Sequence, residues 1–417
     1  MPSQKPHDPY AALRFPDFRT FLTVNFLVFF GSQMVFMTVG WELYERTGSA
    51  LDLGLVGLSM VLPFLAFGLF TGNLADRFDR RLLVSLATLA YALCLGALAF
   101  LSHFHGASPD FKHWVFGLLF LMGTADAFCV PAKQSLLPQL VPRAAIHNAL
   151  TWNSSIFQTA AVTGPAVCGF LLKHFLPYPA IYAGAMVLEA IFLITLLSLH
   201  LGPRSSQKEP ITTRSLAEGL RFVHRTKPIL ATLTLDLLAV LLGGCMALLP
   251  VFVKDILHSD EQALGWLRGA PAVGAIGMAL LVARKPMARP GKTLLWAVAG
   301  FGAATIVFGL SNWLWLSLAM MFVIGALDNI SVIVRGTLVQ MLTPERLLGR
   351  VQSVNYLFIN SSNQLGAFYS GVMATLLGPV PAVVLGGFVS MGIVLLVHRL
   401  WPQVARLGPL HKARAKA

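Results

Sequence analysis

Charged side chains are scarce. They make up 12% of the 417 residues, about half of the roughly 25% carried by soluble domains. Hydrophobic residues make up 56%. A water-soluble fold of this size lacks the polar surface it would need, and the apolar excess excludes disorder. Cysteines number 4 and form no Cys-x-x-Cys pair, so neither a disulfide scaffold nor a thiolate metal site has a basis. No Gly-x-Ser-x-Gly elbow and no His-Glu-x-x-His motif occurs. Gly291-Lys292-Thr293 looks like the close of a phosphate loop, but Pro286 stands where its first glycine belongs. The expectation is a chain that is not an enzyme and has no cofactor and no metal. The formal net charge of +13 points to nucleic acid only if the basic residues share a soluble face.

Long apolar runs are what the sequence does have. Twelve can be marked, at about 19–43, 53–75, 82–103, 113–138, 148–172, 179–200, 229–253, 262–283, 293–311, 313–340, 350–377 and 380–399. A helix needs about 20 apolar residues to cross a bilayer, and it satisfies its own backbone there. The first run is of span length and follows a polar N-terminus, which argues against a cleavable signal peptide. With alternating topology, all but Arg46, Lys112, Lys173, Lys254 and Arg268 of the 31 lysines and arginines fall on one side. The bias predicts that both termini lie in the cytoplasm. The charge therefore records orientation: the lipid bilayer is the partner, and nucleic acid is not.

The longest polar stretch, 201–228, divides the chain. The expected organisation is a six-helix bundle over 1–200, a linker over 201–228, a second six-helix bundle over 229–400 and a basic cytoplasmic tail over 401–417. Ser215 and Glu218 have capping-box spacing, with Leu216, Leu220 and Val223 on one helical face. This predicts a short amphipathic helix lying on the inner leaflet. The halves repeat. An offset of 202 pairs Gly123 with Gly325, Asp126 with Asp328, Lys133 with Arg335, Pro142 with Pro344, Asn153 with Asn355, Gly164 with Gly366 and Gly169 with Gly371. An offset of 208 pairs Pro63 with Pro271, Ala75 with Ala283 and Arg77 with Lys285. The fold class is thus an all-α membrane protein with two pseudo-symmetric bundles, and parallel repeats place a substrate site between the halves near the midplane.

Ionisable groups at membrane depth are costly and mark function by default. Asp126, Asp236 and Asp328 lie within spans four, seven and ten, and Glu42 near the outer end of span one. Protonation or attraction of a cationic substrate is the functional reading; helix–helix hydrogen bonding is the structural one. Glu189, mid-span in the sixth run, has no assigned role. Among the amides, Asn25 and Gln33 on span one and Asn363 and Gln364 on span eleven are further cavity candidates, whereas the repeated pairs Asn153/Gln158 and Asn355/Asn360 read as interhelical glue.

The loop Gly72-Asn-Leu-Ala-Asp76-Arg77-Phe-Asp79-Arg80-Arg81 resembles motif A of the major facilitator superfamily, with Asp79 where that family often has Gly. The resemblance implies a conformational latch at Gly72, Asp76, Arg77, Arg80 and Arg81 that stabilises the outward-facing state. Gly164-Pro165-Ala-Val-Cys168-Gly169 is similar to the motif C of proton antiporters and implies a hinge at Gly164, Pro165 and Gly169. An arginine in mid-span four, as in motif B, is absent. Phe18-Arg-Thr-Phe-Leu with Gly31-Ser-Gln33, Trp41-Glu-Leu-Tyr-Glu-Arg-Thr-Gly48-Ser and Leu136-Leu-Pro-Gln-Leu-Val-Pro142 resemble the bacterial enterobactin-exporter and macrolide-efflux branch. In that superfamily spans one, four, seven and ten line the cavity, each of which carries one acid here. The resemblance implies a monomeric inner-membrane transporter that exchanges protons for a small amphipathic substrate, a siderophore or a drug, by alternating access. The rivals are an importer or uniporter of a metabolite or lipid, and a non-transporting receptor or assembly factor on the same fold.

Overall fold

The computed structural model describes residues 8–77, 79–199, 213–285, 287 and 289–405, with no side-chain description at 68–77, 135, 143, 213–216 and 345. The first half comprises α1 (Pro16–Thr47), α2 (Ala50–Arg77), α3 (Arg80–Phe104), α4 (Phe111–Leu136), α5 (Ile146–His174) and α6 (Tyr178–Ser198). The linker helix α7 (Thr213–Arg225) follows. The second half comprises α8 (Lys227–Gly243), α9 (Glu261–Arg284), α10 (Pro290–Leu310), α11 (Leu314–Leu342), α12 (Glu345–Leu377) and α13 (Pro379–Leu400). The α8 span continues through short helical turns to Ile256. Among the described residues, 11 helices are long and apolar enough to cross a membrane. The twelfth, α12, has 33 residues; its run of Asn355, Asn360, Ser361, Ser362, Asn363 and Gln364 makes it more polar than the rest.

Local chemistry sets the helix ends. Proline in the first turn starts α1, α6, α8, α10 and α13, where its missing N–H costs nothing. Asp79 caps α3 by accepting from the Arg81 N–H at 2.8 Å, and Asp260 caps α9 through Ala263 at 3.1 Å. Gly48, at φ 62°, closes α1 in the left-handed region that glycine enters freely. Asp79 has φ −64°. The loop after α2 therefore ends in an ordinary aspartate cap and needs no glycine there.

The two ends of the molecule differ in charge. One carries the linker helix and most basic loops, and is called the basic face here. The other carries Glu45, Asp52, Asp110, Asp255, Asp260 and Glu261, and is called the acidic face. One apolar cluster crosses between the halves; it joins Met37, Trp41, Tyr44 and Leu53 to Leu249, Phe252, Leu264 and Leu267 at the acidic end. Among the described residues, the remaining clusters each stay within one half. The halves meet where α2 packs on α12 and α5 on α9.

Two expectations change here. Helix α7 begins at Thr213, so Ser215 lies inside it and is not its cap. Glu218 instead accepts from Arg350 of α12. The apolar face of α7 does not simply rest on lipid. Val223 is 1% exposed, packed with Val339, Leu347 and Val351, and a Cβ on Gly219 would stand 2.9 Å from the Arg350 carbonyl. Of the expected face, Leu220 is open, at 49%, and the side chain of Leu216 lies outside the described residues. The tail beyond residue 405 lies outside the described residues.

Candidate functional site

The contact between the halves is built from the repeat. A Cβ on Gly169 of α5 would lie 2.3 Å from the Glu261 carbonyl of α9, and one on Gly265 would lie 2.4 Å from the Pro165 carbonyl. The pseudo-equivalent surface repeats this: a Cβ on Gly57 of α2 would lie 2.7 Å from the Gln364 carbonyl, and one on Gly371 of α12 would lie 2.7 Å from the Ala50 carbonyl. Any larger side chain at these points separates the backbones. The same repeat sets packing inside each half, with Gly164 against Gln33 and Phe30 of α1, and Gly366 against Val240 and Leu241 of α8. Cys168, where the motif has glycine, is buried with its Sγ 3.3 Å from the Thr38 hydroxyl. Gly164, Pro165 and Gly169 thus form a helix crossing that reaches both α1 and the other half.

Polar contacts close the acidic face over this crossing. The Trp41 indole donates to Glu261 at 3.2 Å. The Tyr44 hydroxyl donates to Asp255, and Lys254 lies 5.9 Å from the Tyr44 ring centre. Lys173 pairs with Asp260 at 2.6 Å and donates to Gln262 at 3.2 Å. Burial would raise the Asp260 carboxyl, but its bonds from Lys173 and from the Ala263 and Gln262 amides outweigh that and hold it below the usual carboxylate range. All these contacts join the first half to the second. The sequence reading missed them because each residue alone looks like an ordinary interfacial aromatic or charge.

The membrane acids fall into two unlike clusters. In the second half Arg335 forms a contact ion pair with Asp236, which also accepts from the Ser331 hydroxyl at 2.7 Å. Both ions are buried, and Asp328 lies within the field of both. Arg335 is therefore a buried partner and not a loop anchor, a correction of the topological assignment. In the first half its repeat mate Lys133 makes no contact ion pair among the described residues. Its ammonium lies 4.2 Å from the Phe192 ring centre and 5.4 Å from that of Phe29. Its charge acts on Asp126 and on Glu189. Asp126 in turn acts on Tyr356 of α12, in the opposite half. The available signal was the offset of 202, which pairs the cations as well as the acids.

The remaining candidates scatter. Glu42 is 1% exposed and is held within the first half, by Arg46 at 2.7 Å, Ser102 at 2.5 Å and Tyr182 at 2.8 Å. The expectation that it faces a central cavity is corrected on this ground. Asn25 is also buried and donates to Asn153 at 2.8 Å, so it joins α1 to α5 inside the first half. Gln33 packs at the α1–α5 crossing against Gly164. Asn363 is exposed on α12, and Gln364 meets α2 at Gly57. The side chains of Gly72, Asp76 and Arg77 lie outside the described residues. Arg81 donates to the Leu197 carbonyl at the end of α6, a contact inside the first half. Arg80 follows Asp79 at the start of α3.

Two six-helix halves, glycine-lined crossings between them and ionisable clusters within the spans define a membrane transporter of the major facilitator type. The chain matches the model of the transmembrane secretion effector family over residues 7–407, and it belongs to that family. It is 27% identical over 360 residues to the multidrug efflux pump Tap of Mycolicibacterium fortuitum, covering 84% of this chain and 87% of that protein. It is 26% identical over 400 residues to the enterobactin exporter EntS of Escherichia coli, covering 92% and 91%. The same fold occurs in a bacterial homologue of the human lysosomal transporter Spinster, solved in an inward-facing conformation, with a TM-score of 0.71, 16% identity, and coverage of 96% and 98%. It occurs also in a D-xylose-proton symporter, with a TM-score of 0.69, 13% identity, and coverage of 91% and 96%. The protein is a multi-span membrane transporter of small molecules and not an enzyme.

Proposed function

We propose that the protein is a proton-coupled exporter of a small amphipathic compound of the siderophore or drug class. It works as a monomer, by alternating access, in the bacterial inner membrane, with both termini and the basic face in the cytoplasm. The organisation over 1–200, 201–228, 229–400 and 401–417 then reads as two rocking bundles, a linker and a cytoplasmic tail. The observation that carries this reading is the asymmetric join of the halves. Glycine crossings, an apolar cluster and polar contacts all close the acidic face, while among the described residues the apolar clusters nearer the basic face stay within single halves. With the basic face inside, this is a loading state that accepts substrate from the cytoplasm. Efflux and export by the relatives Tap and EntS support the outward direction.

Asp126 and Asp328 are the proposed proton acceptors, because neither is consumed by a contact ion pair among the described residues. Asp236 holds Arg335 in place, and Asn363 and Gln364 are the proposed amide contacts to substrate. The test is a vesicle assay. Inside-out vesicles with an acidified lumen receive a panel of siderophores and amphipathic drugs, and lumenal pH is followed by a fluorescent dye. A transported compound dissipates the gradient in the native protein and not in D126N. Transport of a compound with no effect on the gradient would remove proton coupling from the reading.

A further inference from the structure

Glu189 is the one membrane-depth acid with no role in the reading above. It lies on α6 and is 8% exposed, without a hydrogen bond or contact ion pair among the described residues. Its neighbourhood is nonetheless specific. Phe192 stands three residues on, on the same face of α6, and the Lys133 ammonium lies 4.2 Å from the centre of that ring. Lysine side chains on helices lean towards the N-terminus, and Asp126 lies two turns back along α4. The Lys133 charge, over the Phe192 ring of α6 and one side of α4, acts on both acids. From α3, Tyr91 faces both acids. From α4, Cys129 does so as well. From α12, Tyr356 faces Asp126. α1 contributes the Phe29 ring and no charged side chain between Arg19 and Glu42.

The charges do not balance when both acids are ionised. Two carboxylates around one ammonium leave one excess negative charge in an apolar half-bundle, and an uncompensated buried charge is strongly unfavourable. One proton shared by the acids makes the cluster neutral, and such a pair titrates as a unit. We infer that Asp126, Glu189 and Lys133 form a single proton-binding unit, with Asp126 at the space between the halves and Glu189 as the inner acceptor behind it. The proton moves from the Asp126 carboxyl to the Glu189 carboxylate, leaving Asp126 ionised, and returns by the same route. Lys133 stays charged throughout and sets the count at one. The inference rests on the proposed proton coupling for its use in transport, but not for its existence.

The test combines infrared titration with transport. In purified protein in liposomes, the protonated-carboxyl band is followed against pH for the native chain, E189Q, K133M and the double variant. A shared proton predicts that E189Q weakens proton binding by about tenfold or more, one pK unit, because Asp126 is left in a neutral pair with Lys133. K133M shifts binding in the opposite direction. The double variant returns towards the native titration, since its one acid again lacks a cation. Proton-driven transport is lost in E189Q and partly regained in the double variant. A native band that E189Q leaves unchanged overturns the inference, as does a double variant no nearer to native than either single one. If the band behaves as expected while transport ignores the pH gradient, the coupling reading fails and the proton site stands.

Discussion

The two halves carry the same cation at the same place in the repeat and use it differently. Arg335 is bound directly to Asp236, in a pair steadied by Ser331. Lys133 lies over two phenylalanine rings and is shared at a distance by Asp126 and Glu189. Guanidinium is a planar fork that locks onto a carboxylate, whereas ammonium is a point charge on a flexible stem. The first arrangement welds α8 to α11. The second leaves carboxyls that are not committed to a contact partner. Pseudo-symmetry of fold thus coexists with two cation arrangements, a contact ion pair in one half and a charge shared at a distance in the other.

The sharpest way to break this comparison is to remove each cation. R335M leaves Asp236 buried without its counter-ion and should cost about 3–5 kcal/mol, read as a fall in thermal unfolding temperature in detergent. K133M removes only cation–π contacts and a distant charge, and should cost about 0.5–2 kcal/mol. Equal losses would mean that both clusters are structural. Next in size is the seal between halves. G265V places a side chain where a Cβ already stands 2.4 Å from the Pro165 carbonyl, an overpacking worth about 1–3 kcal/mol. It should open the acidic face, seen as faster labelling of a cysteine introduced there by an impermeant thiol reagent. G336A, which meets nothing within 4 Å, should leave labelling unchanged.

Smaller effects sharpen the contrast between repeat mates. Asn25 donates to Asn153 at 2.8 Å, whereas the Oδ1 of Asn355, the mate of Asn153, is buried without a partner among the described residues. N25L should therefore cost about 0.6 kcal/mol, the average for interhelical hydrogen bonds in one membrane protein, and N355L less, by the same unfolding assay. Smallest is the Lys173–Asp260 pair on the acidic face. K173M should change stability by about 0.2–1 kcal/mol. Because the Asp260 carboxyl is held low, its contribution is complete above the unfolded carboxylate range and is lost as pH falls through the lowered folded value. The acidic-face distance, measured by spin labels on α5 and α9, should thus stay constant from about pH 8 down to about pH 5.

Much of this architecture was legible because its causes are local or periodic. Apolar run lengths located the spans, and glycines at a fixed offset foretold the crossings they now occupy, Gly169 against α9 and Gly371 against α2. Asp79 and Asp260 cap the helices that follow them, a local signal that the sequence reading did not use. The site was less legible. Glu42, Asn25 and Asp236 are polar residues in apolar runs, as are Asp126 and Asp328, and nothing in a one-dimensional pattern says which will find a partner. Glu42 found Arg46, Ser102 and Tyr182, and Asn25 found Asn153. Among these acids and amides, Asp126, Asp328 and Glu189, the last with no role assigned from the sequence, have no contact ion pair among the described residues. Lys133 and Arg335 were misplaced because a positive residue near a span end also fits an orientation signal.

The scarcity of charge thus determined by itself that this chain lives in a bilayer as two bundles of helices, since backbone satisfaction in lipid allows little else. The few acids that remained were marked as costly, but not by role. Their partners were decided in three dimensions, by which cation each carboxylate could reach. Tertiary structure also decided that the halves close on the acidic face, because closure depends on backbones from distant segments meeting without side chains between them.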